Sequence, residues 1–123
     1  MTEAGGKPGE MRERTKQFAY RIVHLFRSLT RTTEAQVAGK QLLRCGTSVA
    51  ANYRAVCRAR SKPEFVARMG VVAEEADETV FWLELLADNA IVAAKRLDGL
   101  LTEARELTAI FTASQQTAKR GWS

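Results

Sequence analysis

The run Glu74-Glu75-Ala76-Asp77-Glu78 places four carboxylates within five residues. Carboxylates ligate hard cations and serve as general acids and bases. A di-iron bundle site would take Glu from two helices and Glu-x-x-His from two more. The chain has one histidine, His24, with no Glu three residues before it. Its acids also crowd onto one segment instead of converging from several, so no metal and no cofactor are expected. His24 has no partner that would activate it as a base. A helical-bundle ribonuclease would carry an Arg five to seven residues ahead of it, where Gln17, Phe18 and Ala19 stand. No Gly-rich phosphate loop, Ser-His-Asp set or zinc spacing occurs. The expectation is a non-enzyme with no catalytic residue.

The remaining chemistry is charge. The 123 residues carry 19 Lys+Arg against 14 Asp+Glu, a net +5 with 46% hydrophobic residues. Segment by segment the net is +4 over residues 1–31, +5 over 32–62, −6 over 63–89 and +2 thereafter. A basic excess invites an anionic partner. Arg12, Arg14, Arg21, Arg54, Arg58 and Arg60 are the expected phosphate contacts of a nucleic-acid-binding surface, largely insensitive to base sequence. The competing reading is an interaction scaffold whose basic face docks an acidic protein.

These residues need elements to position them, and the apolar spacing reads as helix throughout. Residues 1–10, with Gly5, Gly6, Pro8 and Gly9, read as a disordered tail. A first helix is predicted from Met11 to Leu29, on the stripe Phe18, Ile22, Leu25 and Leu29. A second is predicted from Thr33, with Gln36 completing a capping box, to Arg60. Its stripe is Ala38, Leu42, Cys45, Val49, Tyr53 and Val56, and Gly46 at mid-helix suits a close helix approach. Ser61 caps a third helix, with Pro63 in its first turn and Glu64 at the third position. That helix should bury Phe65, Met69, Val72, Ala76, Val80 or Thr79, Leu83 and Leu86, and end at Asn89. A fourth is predicted from Ala93 or Ala94 to Thr117, burying Leu97, Leu100, Ala104, Leu107 and Phe111.

The fold expected is all-α, an antiparallel up-down four-helix bundle. It forms one domain over residues 11–118, with a C-terminal tail over 119–123. Phe81 and Trp82 are adjacent aromatics beyond what one core stripe needs, and are expected at a subunit interface. If helices two and three pair about residue 62, Arg44 faces Glu78 and Asn52 faces Glu75, as register-fixing polar contacts. Cys45 and Cys57 lie about 18 Å apart on one helix, beyond the roughly 7 Å a disulfide spans. Both are expected as buried packing thiols. The polar N-terminus has no apolar core segment, and no apolar run approaches the roughly 20 residues that span a bilayer. A soluble, cytoplasmic protein without membrane contact is expected.

Three stretches carry a resemblance: Arg44-Cys-Gly-Thr-Ser-Val-Ala-Ala-Asn-Tyr-Arg54, Arg58-Ala-Arg-Ser-Lys-Pro-Glu-Phe65 and Glu75-Ala-Asp-Glu-Thr-Val-Phe-Trp-Leu-Glu-Leu-Leu86. In order and spacing they resemble the signature of the small bacterial four helix bundle proteins linked to 23S rRNA intervening sequences, the S23 family. The matching signature positions are Arg44, Ser48, Asn52, Glu75, Glu78 and Trp82. Arg44, Ser48, Asn52, Glu75 and Glu78 read as a structural polar network. Ala55 departs from the pattern, where many relatives carry Glu. The resemblance implies a homopentamer. It also implies kinship with the accessory variability determinant of diversity-generating retroelements, a basic pentamer that binds nucleic acid and a reverse transcriptase. A reverse transcriptase is thereby an implied protein partner.

Overall fold

Pro8 stands in the first turn of a helix, where its missing N–H costs nothing and its fixed φ suits the start. Glu10 follows in the same turn, favourably placed against the helix dipole. Helix α1 therefore begins three residues before the predicted start and runs Pro8–Ser28. This is a correction to the tail expected over residues 1–10. The computed structural model describes residues 7–121, so the rest of that tail and the last two residues of the C-terminal one lie outside the described residues. Helices α2 (Thr33–Val56), α3 (Lys62–Asp88) and α4 (Ala94–Gly121) follow. No strand occurs among the described residues. Residues 119–121 continue α4, so this part of the predicted C-terminal tail is helical.

The caps correct the sequence reading in two places. The residue that caps α2 is Thr32, not Thr33: its hydroxyl accepts from the Ala35 N–H at 3.4 Å. Gln36 makes no reciprocal cap and instead donates to the Thr30 carbonyl at 2.7 Å. Helix α2 also ends at Val56, with Arg58 N–H on the Ala55 carbonyl and Ala59 N–H on that of Val56 tightening its last turn. Arg58 and Arg60 thus lie on the connection, not on the helix. Ser61 caps α3 as predicted, accepting from Glu64 N–H at 3.2 Å. Glu64 returns a bond to the N–H of Arg60 at 3.0 Å, one residue outside the usual box.

Helix α3 closes in a Schellman motif: Ile91 N–H reaches the Leu86 carbonyl at 2.9 Å and Ala90 N–H that of Ala87 at 3.1 Å. The left-handed position, normally Gly, is Ala90 at φ 55°.

Contacts between helices reveal their directions. Gly46 packs on Ile22, and Gly39 on Phe26 and Leu29. Cys45 meets Thr79. The side chain of Gln115 reaches the Val66 carbonyl, and Arg105 reaches Glu84. Arg14 meets Glu103, and Arg96 meets Ser28. For α1–α2, α3–α4 and α1–α4 one residue number rises as the other falls, and the short connection from Val56 to Lys62 turns α3 back along α2, so sequence neighbours run antiparallel and α4 lies against α1. The predicted stripes form the core, with Phe18, Ile22, Leu42, Val49, Val72, Leu83, Leu86, Leu97, Leu107 and Phe111 fully buried. Of the two alternatives on α3, Thr79 is the buried one. Its hydroxyl donates to the Glu75 carbonyl at 2.7 Å, which satisfies it inside the core.

Candidate nucleic-acid interface

The six arginines expected to touch phosphate do not share one surface. Arg14 points along the α1–α4 seam and forks onto Glu103, at 2.7 and 2.8 Å, and onto Glu106 at 2.7 Å. The hydrogen bonds from Arg14 hold the Glu103 carboxyl below the usual carboxylate range, and the same pairing holds Arg14 more firmly protonated. Arg21 lies over the same seam, beside Gly99 and in the field of Glu103. Arg14 is thus engaged in internal pairing with Glu103 and Glu106. Arg60 gives its backbone N–H to Glu64, whose carboxyl is held low by that bond and by Arg68.

Arg12 and Arg54 remain on one face, with Arg58 at its end. Gly39 and Gly46 fix which side of α1 adjoins α2, and Arg14 fixes the side that adjoins α4. The outward positions of α1 beside α2 are then Arg12, Lys16, Val23 and Arg27. Those of α2 beside α1 are Lys40, Leu43, Thr47 and Arg54. All five cations are exposed, and none forms an ion pair among the described residues. The acids of these two helices point elsewhere: Glu10 and Glu13 toward the α4 side, where Glu13 accepts from Gln17, and Glu34 toward α3. Sequence reasoning missed Lys16, Arg27 and Lys40. Their signal is a second stripe, Arg12, Lys16, Tyr20, Val23 and Arg27, spaced like the core stripe but turned outward. Lys16 stands 6.0 Å over the Tyr20 ring.

The predicted polar network forms in part, along the outer α2–α3 seam. Arg44 spans Glu75 at 3.3 Å and Glu78, and takes Gln41 on its Nε at 3.2 Å. The Trp82 indole N–H donates to Glu78 at 3.2 Å. Asn52 does not reach Glu75. Its amide donates instead to the Ser48 carbonyl one turn back, at 2.9 Å. Glu75 is already taken by Arg44, and the Asn side chain is short enough to close on its own helix. Ser48 contributes that backbone carbonyl.

Phe81 is 52% exposed and packs edge-on to half-buried Trp82, with ring centroids 4.9 Å apart. The surface around them on α3 is acidic, with Glu74, Asp77, Glu78 and Asp88.

Burial pushes the Cys45 thiol up, whereas Cys57 is exposed at the end of α2. The expectation of two buried thiols thus holds for Cys45 alone. His24 is exposed. Among the described residues no group of three or more His, Cys, Asp or Glu is placed to hold a metal ion. No helix is long and apolar enough to cross a membrane.

The family model for 23S rRNA-intervening sequence proteins matches residues 9–113. A crystal structure of a protein of unknown function from the S23 ribosomal protein family of Bacteroides thetaiotaomicron superposes with a TM-score of 0.81. It shares 29% sequence identity, over 89% of this chain and 98% of that one. No curated protein matches the chain.

Proposed function

The chain belongs to the 23S rRNA-intervening sequence protein family, and from that premise we propose a non-enzymatic helical bundle that binds nucleic acid, RNA or structured DNA. One observation carries the reading: among the described residues the α1–α2 face holds five exposed cations and no carboxylate, while Arg14, Arg44, Arg68 and Arg105 are spent on ion pairs elsewhere. Unpaired Lys and Arg on one face are what phosphate contact requires. Arg58, on the connection beside Arg54, extends this face. The test is fluorescence anisotropy against labelled RNA and DNA across a salt series. The expected result is binding that weakens steeply with salt and falls when Arg12, Lys40 and Arg54 are changed to Gln. No binding even at low salt overturns the reading.

The rival reading is an acidic protein docked on the same face. Material absorbing at 260 nm that copurifies with the protein supports nucleic acid, and a clean protein spectrum supports the rival.

Self-association is the second part of the proposal. Phe81, exposed beside Trp82, is a large apolar surface that a single bundle leaves in water, and a second copy would cover it. The likeness to the accessory variability determinant suggests a homopentamer, and a reverse transcriptase as protein partner, in the cytoplasm. Light scattering giving a stable monomer would refute the assembly.

A further inference from the structure

The cationic face has a shape as well as a charge. Arg12 to Arg27 spans fifteen residues, about 22 Å along α1, and Lys40 to Arg54 spans about 21 Å along α2. The cations therefore form two rows, one per helix, on antiparallel neighbours. Helices in contact lie about 8–10 Å apart, axis to axis. Gly39 and Gly46 keep α1 and α2 at that approach: a Cβ at either position would stand 2.5 Å from Leu29 or 2.8 Å from Ile22. The two rows therefore stand at least one interhelical distance apart, so a strand that follows one row leaves the other row for a second strand.

The face has little else to offer a nucleic acid. Single-strand binders set several aromatic rings along the path so that bases can stack. Among the described residues this face has Tyr20, with Lys16 over its ring, and Phe26, half-buried in the α1–α2 seam against Gly39, which do not make a run of free rings. Phe18 is buried in the core. Base edges are read by Asn, Gln or Arg side chains held in place for paired hydrogen bonds, and among the described residues Arg12, Arg27 and Arg54 have no side-chain hydrogen bond to hold them so. The single amide nearby is Gln36, whose NH2 is held by the Thr30 carbonyl. On the other side of the bundle, α3 presents Glu74, Asp77 and Asp88, which repel a polyanion and leave one orientation favourable.

We propose that the α1–α2 face is a double-strand platform: the α1 row (Arg12, Lys16, Arg27) contacts the phosphates of one strand and the α2 row (Lys40, Arg54) those of the other, without reading base sequence. The proposal rests on the nucleic-acid reading above and narrows its ligand to the paired phosphate backbones of a duplex. Such binding releases counterions from both strands, at about 0.9 in log K per tenfold change in salt for each phosphate neutralised.

The test compares one sequence, as 20-base-pair DNA, 20-base-pair RNA and each single strand, and a scrambled duplex. It uses the full chain and the double variants Lys40→Gln/Arg54→Gln and Arg12→Gln/Arg27→Gln. Circular dichroism confirms that both variants remain folded. The duplexes, of either backbone and either sequence, are expected to bind at least tenfold tighter than the single strands. Each double variant is expected to lower the salt slope on duplex DNA by about 1.8. Removal of the α2 row is expected to cut duplex affinity while leaving single-strand affinity nearly unchanged, because a single strand can follow the α1 row alone. Single strands bound as tightly as duplexes, or a strong effect of scrambling, would overturn the double-strand proposal and leave nucleic-acid binding standing. No binding to any of these ligands would overturn both.

Discussion

Replacing Gly46 by Ala should destabilise the bundle, against the usual effect of that substitution in a helix. By propensity alone, Ala for Gly at mid-helix is worth about 1 kcal/mol in the favourable direction. The neighbour decides otherwise. A Cβ at position 46 would stand 2.8 Å from Cγ1, 3.0 Å from Cγ2 and 3.3 Å from Cβ of Ile22. Ile22 is fully buried and β-branched, so its χ1 is stiff, and rotating it cannot move its own Cβ. The helices must separate, and overpacking of this kind costs about 1–3 kcal/mol. The net expectation for Gly46→Ala is a loss of about 1 kcal/mol, read by urea denaturation with the slope unchanged. The decisive measurement is the same substitution in an Ile22→Ala background. That background alone costs about 2–5 kcal/mol. Within it the two closest contacts, Cγ1 and Cγ2, are gone and only the Cβ of residue 22 remains near, at 3.3 Å, so Gly46→Ala should stabilise by up to about 1 kcal/mol. The reversal of sign is the signature of the contact. Stabilisation by Gly46→Ala in the unmodified protein, or destabilisation in both backgrounds, would refute the packing argument.

Ala90→Gly should stabilise by about 0.5–1 kcal/mol, because the left-handed φ costs a residue with a Cβ about 1–2 kcal/mol and the added freedom of Gly in the unfolded chain returns about 0.4–1. An unchanged or lower melting temperature would count against the strained cap. Glu103→Gln should weaken the fold near neutral pH by about 1 kcal/mol or less, since the pair is partly exposed. The folded carboxyl titrates below its unfolded value of about 4.3, so its contribution is present above that pH and disappears as pH falls through the folded value. The difference from wild type should shrink as the pH falls below that unfolded value, and a difference that persists undiminished in acid would assign the loss to packing. Ellman's reagent should titrate one thiol quickly in the native protein, Cys57, and release Cys45 only in denaturant; two fast thiols would contradict the burial of Cys45. Phe81→Ser should shift any oligomer toward smaller species by light scattering without lowering helix content, and an unchanged assembly would place the interface elsewhere.

The helices, their buried stripes and the Ser61 cap were legible because each depends on residues within a few turns. Arg44 with Glu78 was legible too, since a short connection fixes the register of one hairpin. Asn52 shows the limit of register alone: it faces the right carboxylate by count, yet an own-helix carbonyl is nearer and Arg44 reaches Glu75 first. Arg14 was not legible as an internal group. Its partners lie 89 and 92 positions away, and only the placement of α4 beside α1 brings them within reach. For the same reason Lys16, Arg27 and Lys40 could not be separated from solvated surface charge until the sides of α1 and α2 were assigned.

The strap from Arg14 to Glu103 and Glu106 bears on a choice that apolar patterning leaves open. Four helices in up-down order can wind with either hand, and a core stripe buries equally well in both. Exchanging the hand would present the Arg14 side of α1 to α2 and the Gly46 notch on α2 to the wrong side of α1. The carboxylate pair on α4 would lose its arginine, and Ile22 would lose its recess. Closing a loop of about 90 residues costs roughly 4 kcal/mol, more than a partly exposed ion pair returns. The strap therefore does not drive α1 onto the bundle. It makes the mirror winding the worse of two otherwise comparable answers, so a surface salt bridge of small worth to stability acts as a selector of topology.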